Sequence, residues 1–294
     1  MATMKAIKKR ISSVNNTKKI MKAMELVAAS KLQKARMRLE NVLPLYENIK
    51  LVMDGIKASI RDGEETAFAQ EREVKCIAYI VLTSDRGLCG GYNANASKEA
   101  LACIQENKDK KEKIIAIGAK GSEYFRRRGK HVVFKCAGPS EATTYENAEL
   151  IGDMAASMYK SGEVDEVYLI YTHFESILAH CPQVEKLLPL RRTGTGTGAG
   201  TGDDGDTGVV EMSYDPDVGT FISYAVPMYL NVTIYGAMME SAVCEYASRM
   251  TSMDSATRNA SEIIEDLTLE YNRKRQGLIT QEITEIVSGA NALK

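Results

Sequence analysis

Near the start of the chain, apolar residues fall at Met4, Ile7, Ile11, Val14, Met21, Met24, Ala28, Leu32, Ala35, Leu39 and Val42. The steps are mostly three and four, with one double step across Lys18, which is the seam of a left-handed coiled coil. A second seam closes the chain: Val243, Ala247, Met250, Met253, Thr257, Ala260, Ile264, Leu267, Tyr271, Leu278 and Ile286. Pro227 is the last proline, so nothing punctuates the final stretch. At about 1.5 Å per residue, residues 231–294 would reach roughly 95 Å as one helix. That is several times the mean globular helix, so neither end can fold back into an ordinary core, and the two most simply pair with each other. Pro44 predicts an interruption or kink in the first helix, because it removes a backbone donor and crowds the preceding turn. The helix is then expected to resume through Leu51, Val52 and Ile56, with Gly55 and Asp62-Gly63 marking its end. Gly277, inside the last helix, costs about 1 kcal/mol relative to alanine and signals a tight approach, a bend or a neutral change.

Between the ends the periodicity changes. CIAYIVLTS (76–84), KIIAIG (113–118), HVVFKC (131–136) and EVYLIYTHF (166–174) read as strands. QVEKLLPL (183–190) is a candidate fifth, paired as a hairpin with the fourth. Helical stretches at 94–107, 122–128 and 145–161 separate them. Strand and helix in alternation imply a Rossmann-like α/β domain with a parallel sheet. The expected domains are a coiled-coil helix over 1–58, an α/β domain over 70–215 and a second long helix over 217–294. Residues 193–208 (TGTGTGAGTGDDGDTG) contain seven glycines, five threonines, three aspartates and one alanine. They have almost nothing to bury, so an exposed, flexible loop is expected.

Net charge is −1, but residues 1–60 carry +9 and residues 231–294 carry −3, leaving −7 for the middle. A basic and an acidic helix attract. The surplus positive charge suits an acidic partner, a solvated face, nucleic acid or a membrane surface. Lys5, Lys8, Lys9, Arg10, Lys18, Lys19 and Lys22 lack neighbouring aromatics for base stacking, which argues against nucleic acid. No run approaches 18 apolar residues, so no transmembrane helix is expected, and the basic start lacks the apolar core of a secretory signal. The six cysteines show no CxxC spacing and are expected to pack as reduced small hydrophobes.

SDRGLCGGYN (84–93) follows a strand and precedes a helix, where a phosphate-binding loop would lie. It matches neither GxGxxG nor GxxxxGK[ST]. A structural turn is the better reading, with Arg86 and Tyr92 left available for a partner surface. His173, His180 and Cys181 fit no zinc pattern. No nucleophile–base or paired-carboxylate arrangement stands out, so no catalytic residue, cofactor or metal is assigned. NRKRQGLITQEITEIVSGANALK (272–294) is apolar on more than one face at Leu278, Ile279, Ile283, Ile286 and Val287, which predicts insertion of this tip into a surrounding protein.

KRISSVNNTKKIMKAMELVAASKL (9–32), SDRGLCGGYN (84–93), SRMTSMDSATRNA (248–260) and YNRKRQGLITQEITEIVSGA (271–290) resemble, in order and end to end, the gamma subunit of the F-type ATP synthase. The resemblance implies a rotating central shaft without catalytic residues of its own. Its terminal helices would form an antiparallel coiled coil inside the hexamer of alpha and beta subunits. Its α/β domain would sit beside the epsilon subunit and the membrane ring of c subunits, with the delta subunit met only indirectly. By position, Met24 and Arg249 would lie near the acidic lever of beta, and Arg275, Gln276, Thr280 and Glu282 would contact a beta loop. Tyr214 and Asp215 would meet the c ring and epsilon. A peripheral position on the cytoplasmic side of a bacterial membrane follows from the same likeness. Glycine at 277 departs from the family's usual alanine, and the tract at 193–208 departs from its usual shorter loop. That tract, through Thr193, Gly194, Asp203, Asp204, Asp206 and Gly208, is a candidate brake on ATP hydrolysis, against the alternative of a passive insertion. Two other readings compete with the shaft: a nucleotide-binding α/β enzyme and a free-standing coiled-coil scaffold. The coupling ion is not encoded here.

Overall fold

The computed structural model describes residues 4–59, 68, 72–190 and 218–292. The tract 193–208, Tyr214 and Asp215 lie outside the described residues. The chain forms two compact units: residues 1–30 together with 249–294, and residues 31–248. Two helices, α1 (Met4–Ser59) and α6 (Val218–Ala292), each contribute to both.

The second unit is built on a five-stranded sheet of β1 (Cys76–Leu82), β2 (Lys111–Ile117), β3 (Val132–Cys136), β4 (Glu166–Phe174) and β5 (His180–Leu188). The spatial order is β3-β2-β1-β4-β5. The first four strands run parallel and β5 returns antiparallel to β4. The Rossmann-like layout is therefore present, and the fifth strand is the hairpin partner foreseen for β4. It begins at His180, three residues before the apolar run that signalled it, because backbone pairing continues through polar residues after the hydrophobic pattern stops. Pro182 is compatible with β5 because β5 is an edge strand, where a missing donor costs little.

β1 is buried at all seven positions, the mark of a central strand covered on both faces. On one face Ile77, Tyr79 and Val81 pack with Ala100 and Ile104 of α2 (Tyr92–Glu106) and Phe125 of α3 (Ala119–Arg126). On the other, Ala78, Ile80 and Leu82 pack with Ile151, Ala155 and Tyr159 of α5 (Tyr145–Lys160). The same cluster takes in Ile222, Val226, Leu230, Ile234 and Met238 of α6 and Met53 of α1. A one-turn helix, α4 (Pro139–Ala142), follows β3 and was not foreseen, since four residues give no periodicity to read.

Pro44 does not end α1. Both Pro44 and Glu40, whose carbonyl loses its donor, are exposed, so water can satisfy that carbonyl. Leu39 and Met53 are buried on either side and hold both halves in place. The inward positions of α1 run 4, 7, 11, 14, 18, 21, 25, 28, 32, 35, 39, 42, 46, 49 and 53, an unbroken alternation of threes and fours. In the first unit α6 matches it with 250, 253, 257, 260, 264, 267, 271 and 274.

Candidate functional site

The carboxyl edge of the parallel strands is where an α/β sheet holds a phosphate. Here that place is filled from within. Asp85, just beyond β1, accepts hydrogen bonds from Ala119 N at 2.8 Å and Gly138 N at 2.7 Å. Ala119 opens α3, so the carboxylate occupies the helix N-terminus that an anionic ligand would need. Ser84 N donates to Asn93 Oδ1 at 2.8 Å, Ser84 Oγ to Arg86 O at 2.6 Å, and Asn93 Nδ2 to Ser84 Oγ at 2.7 Å. Gly118 has φ +99°, and a Cβ there would sit 2.2 Å from Thr83 O. The three loops are thus laced together with a backbone approach that only glycine permits. A phosphate would have to displace Asp85 and would meet its negative charge. The nucleotide-enzyme reading is not favoured.

The loop's side chains also differ from expectation. Tyr92 is 2 % exposed and packs with Cys89 and Cys244, so it offers nothing to a partner. Its position as first residue of α2 turns it inward. Arg86 remains exposed and pairs with Glu141 at 2.9 Å. His173 Nδ1 lies 2.8 Å from Glu240 Oε2. Burial lowers the pKa of His180. Among the described residues no group of three or more His, Cys, Asp or Glu is placed to hold a metal ion. Burial raises the thiol pKa of Cys76, Cys103, Cys136 and Cys244, which suppresses thiolate chemistry at all four.

In the other unit, Met24 is not a seam residue. The strict three-four count passes through Lys18 and Glu25, while Met24 is 41 % exposed. Counting only apolar residues passes over Lys18 and Glu25 and takes Met24, one position out of register, before rejoining the seam at Ala28. Met24 instead joins Ile20 and Val27 in an exposed apolar stripe at i, i+4, i+7. Glu25, missed by the apolar count, is mostly buried; its Oε1 is 2.7 Å from Lys22 Nζ. Arg249 is half-buried in the same unit. Arg275, Gln276, Thr280 and Glu282 are all exposed, and every residue from 275 to 291 is exposed with them. That run includes Leu278, Ile279, Ile283, Ile286 and Val287. Gly277 has open space where a Cβ would stand, which removes the tight approach as its explanation.

A sheet whose ligand edge is closed by its own carboxylate, together with helices presenting apolar side chains to water, defines a protein that works by contacting other proteins. A family model described as ATP synthase matches residues 3–293. The chain is 45 % identical over 292 residues to an ATP synthase gamma chain of Alkaliphilus metalliredigens, covering 99 % of each. It is 40 % identical to a sodium-ion-specific ATP synthase gamma chain of Acetobacterium woodii, covering 98 % of this chain and 97 % of that one. In fold it is similar to a chain of the Euglena gracilis mitochondrial ATP synthase, with a TM-score of 0.70 and 16 % identity, over 99 % and 94 % of the two chains. The chain belongs to the family of ATP synthase gamma chains, a subunit that is in general non-catalytic.

Proposed function

We propose that the chain is the rotating central shaft of an F-type ATP synthase and has no catalytic residues of its own. The observation that carries this is the run 275–291, a continuous helical end exposed at every position despite five large apolar side chains. Such a surface costs free energy in water and is stable when enclosed. The alpha–beta hexamer supplies that enclosure. Met24 and Arg249 meet the acidic lever of beta, and Arg275, Gln276, Thr280 and Glu282 meet a beta loop. Exposure of Met24 and of the last four supports this. The α/β part, within the functional division 1–58, 70–215 and 217–294, meets epsilon and the c ring, Tyr214 and Asp215 among its contacts. The subunit sits peripherally on the cytoplasmic side of a bacterial membrane. No helix among the described residues is long and apolar enough to cross one. The shaft is asymmetric, so its rotation gives each beta subunit different contacts in turn, and those differences bias its conformation.

Reconstitution of the full chain with alpha and beta tests the shaft. A stable complex with ATP hydrolysis is expected, and failure to associate would sink the reading. Binding of ATP or NAD by the isolated chain would favour an enzyme, and salt-sensitive binding to DNA a scaffold. The brake is tested in the same complex: deleting 193–208 should raise hydrolysis, and an unchanged rate makes the tract a passive insertion.

A further inference from the structure

Two turns of α6, residues 241–248, are held by the sheet unit in an unusual way. Ser241 Oγ accepts from Thr172 N at 3.3 Å, and Cys244 Sγ donates to Thr172 O at 3.4 Å, both in β4. Ser140 Oγ in α4 donates to Glu245 Oε1 at 3.2 Å, and Tyr246 OH donates back to Ser140 O at 2.9 Å. Ser248 Oγ donates to Cys89 O, in the loop after β1, at 2.6 Å. All five of these α6 residues are buried. Positions 241, 244, 245 and 248 share one face. Tyr246 leaves at about 100° from Glu245 around the axis. Its ring lies under Lys31 Nζ of α1, 5.7 Å from the centroid. The helix is therefore gripped from more than one direction, by β4, by α4 and by the loop after β1.

Apolar packing is non-directional and lets a helix turn in its seat at little cost. Hydrogen bonds to fixed backbone atoms do not, because they weaken steeply with misalignment. We propose that Tyr246 and Ser248 are positioning residues for coupling, locking the azimuth of α6 against the sheet. This rests on the shaft reading. It gives the glycine-rich loop 84–93 a mechanical role, since its backbone, at Cys89 O, is an anchor for α6. Torsion applied to the sheet then passes along α6, which runs without a break past residue 248, instead of being lost as slip of the helix.

The test uses the complete ATP synthase carrying this chain, reconstituted into vesicles. ATP hydrolysis is measured alongside ion uptake, followed with a pH-sensitive dye and with radioactive sodium. Tyr246→Phe keeps the ring and removes one hydroxyl; Ser248→Ala removes the other. In the double variant, hydrolysis should stay near the parent's, while ions moved per ATP fall by at least about fivefold, the weight of a single lost hydrogen bond. An unchanged ratio overturns the proposal. So does failure of Tyr246→Phe alone to assemble, since the contact would then be a folding requirement. If the parent complex hydrolyses ATP but moves no ion, the shaft reading itself fails, whatever the variants do.

Discussion

Asp85→Ala removes one carboxylate and strands two backbone donors. Gly138 is buried, so its amide is poorly placed to find water, whereas Ala119 is partly exposed and can be rehydrated. A hydrogen bond to a charged acceptor contributes about 1.5–3 kcal/mol, and an orphaned buried donor costs a similar amount. Taking most of that range for Gly138 and the low end for Ala119 gives a loss of about 3 kcal/mol. For a unit of this size that corresponds to a fall of about 6–12 °C in the thermal midpoint. Urea unfolding of the full chain should show the lower midpoint at an unchanged slope. Amide exchange at Ala119 and Gly138 should accelerate first. Asp85→Asn, which keeps one oxygen, should fall between. A change below about 0.5 kcal/mol for Asp85→Ala, in the range of an ordinary surface substitution, would refute the reasoning that this carboxylate closes the sheet edge.

Gly277→Ala should stabilise the end of α6 by about 1 kcal/mol, since a Cβ there meets open space and only helix propensity changes; slower amide exchange over 270–291 checks it, and faster exchange contradicts it. Met24→Lys should leave stability within about 0.5 kcal/mol because the ammonium reaches water, yet lower ion movement per ATP through the contact with beta; normal coupling with lost assembly would count against that contact. Cys181, exposed, should be alkylated by iodoacetamide well before the other five thiols, and mass spectrometry of a timed series would detect any other order. Burial, with a smaller contribution from Asp85, pushes the Cys136 thiol from 9.0 up to about 11. The unfolded thiol ionises first, so stability should decline as pH rises from about 9 to about 11. Cys136→Ala should flatten part of that decline, and an identical pH profile would contradict the assignment.

The two long helices, the alternation of strands and helices, and the hairpin at the sheet edge were legible in the chain because each leaves a local period: 3.5 for a seam, an apolar run for a covered strand, a break for a turn. Met24 shows where that legibility ends. An apolar count places it in the seam, whereas packing keeps the three-four alternation and draws Lys18 and Glu25 inward, since a helix axis cannot shift register to suit one side chain. Pro44 shows the same in another form: its local cost was readable, but the buried residues on either side that outweigh it were not. The loop at 84–93 could be placed at the ligand edge from sequence. What it does there depends on Asp85 meeting amides 34 and 53 residues away, and on Cys89 meeting Ser248 159 residues away. Sequence by itself determined which elements form, because element formation follows from neighbours along the chain. Tertiary structure decided which edge is closed, which methionine faces water and which turns of α6 are gripped, because those depend on groups that only folding brings within hydrogen-bond distance.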